Sequence, residues 1–245
     1  MKAVLVIAGS DSSGGAGIAR DLRTLADLQT PAACALTAVT AQTDKALLAC
    51  QVLGPQVVRA QIESAFAAGN IAAVKIGMLA DADTVRAVTQ ALAPHAAVPC
   101  VLDPVLLSSS GAVLLDEAGR RELLATLLPQ VALLTPNLPE AALLLGGTRA
   151  TSELELLRQG AELRARGARA VLIKGGHAEG RDSVDLLMGP EGVEPLRGAR
   201  VAVQMRGTGC ALASAIAAYL AQGLALTLAC RQAKQYLNAL LQQRL

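Results

Sequence analysis

The sequence predicts a single three-layer α/β/α domain over residues 1–245, with a mostly parallel central sheet and helices on both of its faces. Three observations predict it. Short apolar runs alternate with segments of helical periodicity along most of the chain. The runs are continuous rather than alternating, as in strands covered on both sides, and glycine, Asp-Pro or Pro-Asn stops one run after another. No linker, low-complexity tract or fixed-period repeat divides the chain.

Ala3 to Ala8 is a strand ended by Gly9-Ser10-Asp11, and the polar, glycine-rich stretch Asp11 to Gly17 leads into Ile18, Leu22 and Leu25 at helical spacing. Ala33 to Val39 is a second strand. After Gly54-Pro55, Val58, Ile62, Ala65 and Phe66 mark an amphipathic helix, and Ala73 to Ile76 is a strand ending at Gly77-Met78. A helix from Asp81 to Ala93 precedes the strand Pro99 to Leu102, which stops at Asp103-Pro104. The helix Asp116 to Leu128 leads to a strand at Val131 to Leu134, broken by Thr135-Pro136-Asn137. Helices at Leu138 to Leu145 and Ser152 to Arg166 precede the strand Ala170 to Ile173 and the loop Lys174-Gly175-Gly176-His177. Ser183 to Met188 and Arg200 to Gln204 read as strands flanking the turn Gly189-Pro190-Glu191-Gly192, and helices from Gly209 to Gln222 and Thr227 to Gln243 follow.

Composition excludes several functions. Phe66, Tyr219 and Tyr236 are the only aromatic residues, too few for a surface that stacks bases, and a formal charge of +2 does not predict a nucleic-acid partner. No apolar run reaches membrane-spanning length without Gly, Pro or charge, and no leader pattern opens the chain, so a cytoplasmic location is expected. Five cysteines without C-x-x-C spacing suit reduced thiols better than disulfides or zinc.

Chemistry-bearing residues collect where strands end, the edge at which open α/β sheets bind ligands. Gly14-Gly15-Ala16-Gly17 fails the dinucleotide pattern because Arg20 stands at the third glycine, and no P-loop is present. Arg206-Gly207-Thr208-Gly209-Cys210 opens an alanine-rich helix, so its amides and the helix dipole form an anion site that is expected to lower the pKa of Cys210; a packing-only turn is the alternative. Asp21 reads equally as a ligand-binding carboxylate or a solvated first-turn acid. Gln42 is able to read a heterocycle, and Met78 is either a site or a core residue. Asn137-Leu138-Pro139-Glu140 is a capping box, or Glu140 joins Asp103 to hold hydrated magnesium between phosphates. Lys174 is placed to neutralise a phosphate, with a snorkelling surface lysine as the alternative; His177 reads as a solvated loop residue.

Six segments in this order, Ile7 to Ile18, Lys75 to Leu79, Leu102 to Val105, Leu134 to Ala141, Leu172 to His177 and Gly207 to Cys210, resemble the hydroxymethylpyrimidine/phosphomethylpyrimidine kinases of the ribokinase-like superfamily. The resemblance implies ATP-dependent phosphorylation of 4-amino-5-hydroxymethyl-2-methylpyrimidine, then of its monophosphate, in thiamine biosynthesis. It further implies a magnesium requirement and a homodimer. It assigns Gly9, Asp21, Gln42, Met78 and Val105 to the pyrimidine, and Asn137, Lys174 and Thr208 to the nucleotide. Asp103 and Glu140 go to the metal, Gly207 to Cys210 to an anion hole, and Cys210 to the position of a base. The chain departs from the resemblance at Arg206, where histidine is usual, at Thr43-Asp44, where Asn-Thr is usual, and after Leu245, where many relatives carry a further tail. These departures bear on substrate identity and the second phosphorylation and keep a pyrimidine-binding regulatory protein as an alternative; a pyridoxal kinase is another, since some relatives with a Gly-Thr-Gly-Cys segment phosphorylate that ring.

Overall fold

A computed structural model describes residues 2–43, 45–108, 111–175, 182–203 and 205–243. The strands are β1 (Ala3–Asp11), β2 (Ala32–Gln42), β3 (Leu47–Val52), β4 (Ile71–Ile76), β5 (Cys100–Leu102), β6 (Leu133–Leu134), β7 (Val171–Ile173), β8 (Asp182–Gly189) and β9 (Gly192–Ala199). The helices are α1 (Gly17–Asp27), α2 (Pro55–Ala67), α3 (Ala82–Leu92), α4 (Glu117–Glu122), α5 (Leu138–Leu145), α6 (Glu153–Ala165), α7 (Thr208–Ala221) and α8 (Leu226–Gln242).

The strands form one sheet in the order β3-β2-β1-β4-β5-β6-β7-β8-β9. Pairing is parallel from β2 through β7 and antiparallel where β3, β8 and β9 extend the sheet. Leu5, Ile7, Val74, Ile76 and Leu102 point to one face, where Val58 and Ile62 of α2, Val85 and Val88 of α3, Leu144 of α5 and Leu163 of α6 cover them. Val4, Val6, Ala8, Ala73 and Val101 point to the other, under Leu25 of α1, Ala211 to Ala218 of α7 and Ala229 to Leu237 of α8. Nearly every residue of the first three turns of α7 is buried, which its small side chains allow in close contact with the sheet. Strand order reverses at β1: β2 lies on one side and β4 on the other, so the crevice beyond the carboxyl ends of β1 and β4 is the topological switch point.

Two expectations need correction, and one strand was not predicted at all. Leu47–Val52 is a strand; it lies at the sheet edge with four of its six side chains exposed, so its apolar run carries no burial periodicity. The strand expected at Arg200 to Gln204 instead begins at Gly192, because Pro190-Glu191 form a two-residue hairpin pairing Gly189 with Gly192; residues 200–203 are not a strand and Gln204 lies outside the described residues. The helix expected to run to Leu128 is α-helical only to Glu122, then passes through a wider turn at Leu123–Leu127 and a tighter one at Leu128–Gln130 around Pro129.

Candidate active site

Gly207 seats the N-terminus of α7 on the loop between β1 and α1. Its φ of 73° is left-handed, and a Cβ there would stand 2.5 Å from the Gly15 carbonyl oxygen, so only glycine fits. The first amides of the helix, those of Thr208, Gly209 and Cys210, have no intrahelical acceptor and lie at its positive end. A Cβ on Gly209 would lie 3.1 Å from Lys174 Nζ and 3.2 Å from Asp103 Oδ2, so the helix opens directly onto these two groups.

β5, β6 and β7 deliver the charged groups. Lys174 Nζ donates to Asp103 Oδ1 at 2.7 Å and stands 3.8 Å from Glu140 Oε2, with all three side chains largely buried. Burial opposes the Lys174 ammonium, but Asp103 and Glu140 outweigh it and push its pKa up to about 12. Burial lifts the Glu140 carboxyl above its usual range, against Lys174 and the amides of Asn137 and Leu106. The capping box is present as well: Asn137 Oδ1 accepts from the Glu140 amide and Glu140 Oε2 from the Asn137 amide, each at 2.8 Å. The cap and the site are therefore one structure, the cap fixing Glu140 beside Lys174. Among the described residues no three His, Cys, Asp or Glu side chains form a metal cage. Two carboxylates beside a helix N-terminus fit magnesium that arrives on nucleotide phosphates, which takes only one or two protein carboxylates.

A second ion pair lies at the inner end of α7. Lys75 and Asp21 are both 0% exposed and 2.8 Å apart, and Ser214 Oγ donates to the other Asp21 oxygen at 2.8 Å. Asp21 is thus not a solvated first-turn acid: it is fully buried, one oxygen held by Lys75 and the other by Ser214. Burial works against the Lys75 ammonium, while Asp21, Cys210 and Asp103 together raise its pKa above the ordinary value. For Cys210 the expectation is reversed. Burial pushes the thiol up to about 11, outweighing the opposite pull of Lys75 and the Gly17 amide.

The remaining candidates line the β1–β2 side. Gly9 is buried against Met78, whose Sδ lies 2.9 Å from where a Cβ of Gly9 would stand. Gln42 donates through Nε2 to Thr40 Oγ1 and accepts at Oε1 from Arg206, both at 3.0 Å. Arg206 also donates to Ser13 Oγ at 2.8 Å and lies 3.3 Å from Asp11, whose carboxylate accepts from the amides of Ser13 and Ala16. Arg206 therefore leans over the glycine-rich loop and ties it to β2. Thr43 is exposed and accepts from the Lys45 and Ala46 amides at the turn into β3. Val105 adopts a φ of 33°, strained for a β-branched residue, in the loop that leaves Asp103. Asp44 and His177 lie outside the described residues. A shallow hollow between β2 and α2, lined by Cys34, Gln61 and Ser64, is remote from this edge and gathers no charged group.

Comparison with known proteins decides the family. The phosphomethylpyrimidine kinase family model matches residues 11–245. The chain belongs to that family. A hydroxymethylpyrimidine/phosphomethylpyrimidine kinase of Salmonella typhimurium is 42% identical over 240 residues, which cover 98% of this chain and 90% of the relative. The crystal structure of a phosphomethylpyrimidine kinase from Clostridium difficile superposes with a TM-score of 0.86 at 35% identity, covering 98% of this chain and 99% of the other. A pyridoxal kinase from Staphylococcus aureus, solved with AMP-PCP and pyridoxal, gives 0.85 at 30% identity over 96% of this chain and 85% of that one. As a phosphomethylpyrimidine kinase family member the chain is a kinase with a ribokinase-like fold.

Within this kinase framework the sequence reading did not single out Lys75, Ser214 or Asp11. Lys75 had a signal, a lone charge inside the apolar strand Ile71–Ile76. Ser214 had none, because a serine among alanines becomes informative only when Asp21 is placed beside it.

Proposed function

We propose that this kinase transfers the γ-phosphoryl group of ATP to the hydroxymethyl oxygen of 4-amino-5-hydroxymethyl-2-methylpyrimidine, and then a second group to the monophosphate. The observation that carries the reading is the convergence of the α7 amides, Lys174, Asp103 and Glu140 at one point of the sheet's carboxyl edge. A phosphoryl-transfer transition state spreads negative charge over the equatorial oxygens, so positioned donors and cations stabilise it more than any single covalent step. In this reading the amides of Gly207 to Cys210 receive those oxygens, while Lys174, with Thr208 and Asn137, holds the nucleotide phosphates. Asp103 and Glu140 would hold magnesium, which when bound supplies charge neutralisation between the phosphates.

The alcohol binds on the β1–β2 side, against Gly9, Met78, Gln42 and Val105, with Asp21 supporting this wall through Lys75 beneath Gly77. A thiol pushed up to about 11 is protonated at neutral pH. Cys210 is then a wall of the pocket rather than a ready base. A loose transition state needs little prior deprotonation of the alcohol.

The structural match to a pyridoxal kinase favours a second reading, phosphorylation of pyridoxal on the same scaffold. ADP release measured with each alcohol under saturating Mg-ATP separates the two. The pyrimidine is expected to support turnover with the higher kcat/KM; turnover with pyridoxal alone overturns the assignment.

A further inference from the structure

A third buried ion pair stands behind the site. Asp185 on β8 and Lys234 on α8 are 2% and 5% exposed, with Lys234 Nζ donating to Asp185 Oδ2 at 2.7 Å and to Ser183 Oγ at 2.9 Å. The other oxygen, Oδ1, accepts from the buried Gly175 amide at 2.8 Å. Gly175 immediately follows Lys174, and its backbone is pressed onto β8: a Cβ there would fall 1.8 Å from the Val184 carbonyl oxygen. On its other side, the Lys174 amide donates to Pro136 at 2.9 Å. The peptide that carries Lys174 is thus pinned at both ends, to the loop after β6 by a backbone bond and to β8 by a carboxylate.

A buried ion pair is weak evidence for stability, since apolar residues of similar size often serve as well. What an apolar residue at 185 does not supply is an acceptor for the Gly175 amide, which would otherwise be buried unpaired. We propose that Asp185 is a positioning residue for phosphoryl transfer, orienting Lys174 through the Gly175 amide, with Lys234 holding Asp185 in place. The proposal rests on the reading of Lys174 as a phosphate-neutralising group.

The test compares D185L/K234M, which removes the acceptor without stranding a buried charge, with D185N/K234Q, which keeps an oxygen acceptor. Both are assayed alone and in a K174A background, with melting temperatures measured alongside. D185L/K234M is expected to lose about tenfold or more in kcat while KM for the pyrimidine stays within about twofold, and to cost nothing further once Lys174 is gone. D185N/K234Q is expected to stay within about threefold of the parent kcat. The inference is overturned if D185L/K234M turns over at the parent rate, if its loss adds in full to that of K174A, or if D185N/K234Q falls as far as K174A. Either double variant decides on its own should the other not fold. A fully active K174A refutes the role of Lys174 as well, whereas a crippled K174A beside a full-rate D185L/K234M refutes the inference alone.

Discussion

Cys210, which the resemblance assigns to the position of a base, has a proton affinity too high for one. With its pKa pushed up to about 11 by burial, only about one molecule in ten thousand carries the thiolate at pH 7. General bases contribute about 10² to 10⁴ in rate. Cys210→Ala is therefore expected to lower kcat by less than about 100-fold, measured under saturating substrates, with no ascending limb of thiol origin in the profile from pH 6 to 9. A loss near 10⁴ at constant KM would restore a catalytic thiol. The residues legible in the sequence were those at strand ends, because glycine, proline and carboxylates mark the turns there. Lys75, Asp21 and Ser214 were less legible: Asp21 meets Lys75 across 54 positions and Ser214 across 193, and both contacts depend on α7 packing against α1 and β4.

At the scale of single elements, α5 shows how a local rule and a functional site coincide. The reciprocal hydrogen bonds of Asn137 and Glu140 begin the helix and also hold Glu140 3.8 Å from Lys174. Asn137→Ala is expected to cost about 1 kcal/mol of stability, as lost caps do, and to raise the magnesium concentration needed for half-maximal activity. Thermal melts and a magnesium titration check the two effects, and an unchanged titration would confine Asn137 to the cap. Helix starts of this kind were legible in the sequence: Asp81, Asp116, Asn137 and Ser152 all cap as their residue type predicts. Edge strands were not. β3 and β9 are largely exposed, and their places are set by pairing with β2 and β8 rather than by a buried face of their own.

The molecule as a whole stores protons in its interior. Cys100 and Cys230 are pushed up to about 12 and Cys210 to about 11, all by burial, while Lys174 reaches about 12 through Asp103 and Glu140. Each holds its proton more tightly folded than unfolded, so the stability they contribute is complete below about pH 9 and is lost as pH rises through 11 to 12. The melting temperature is expected to fall steadily above pH 9, and a flat profile from pH 8.5 to 11 would contradict this. The sheet also gathers Asp103, Glu140 and Lys174 at its carboxyl edge, beyond β5, β6 and β7, and this makes phosphoryl transfer to a small alcohol the reading that unites them. Incubating the protein with the hydroxymethylpyrimidine and Mg-ATP and identifying the products by phosphorus NMR tests it most directly. The monophosphate followed by the diphosphate is expected, with one ADP for each group transferred; ATP and pyrimidine recovered unchanged would contradict it.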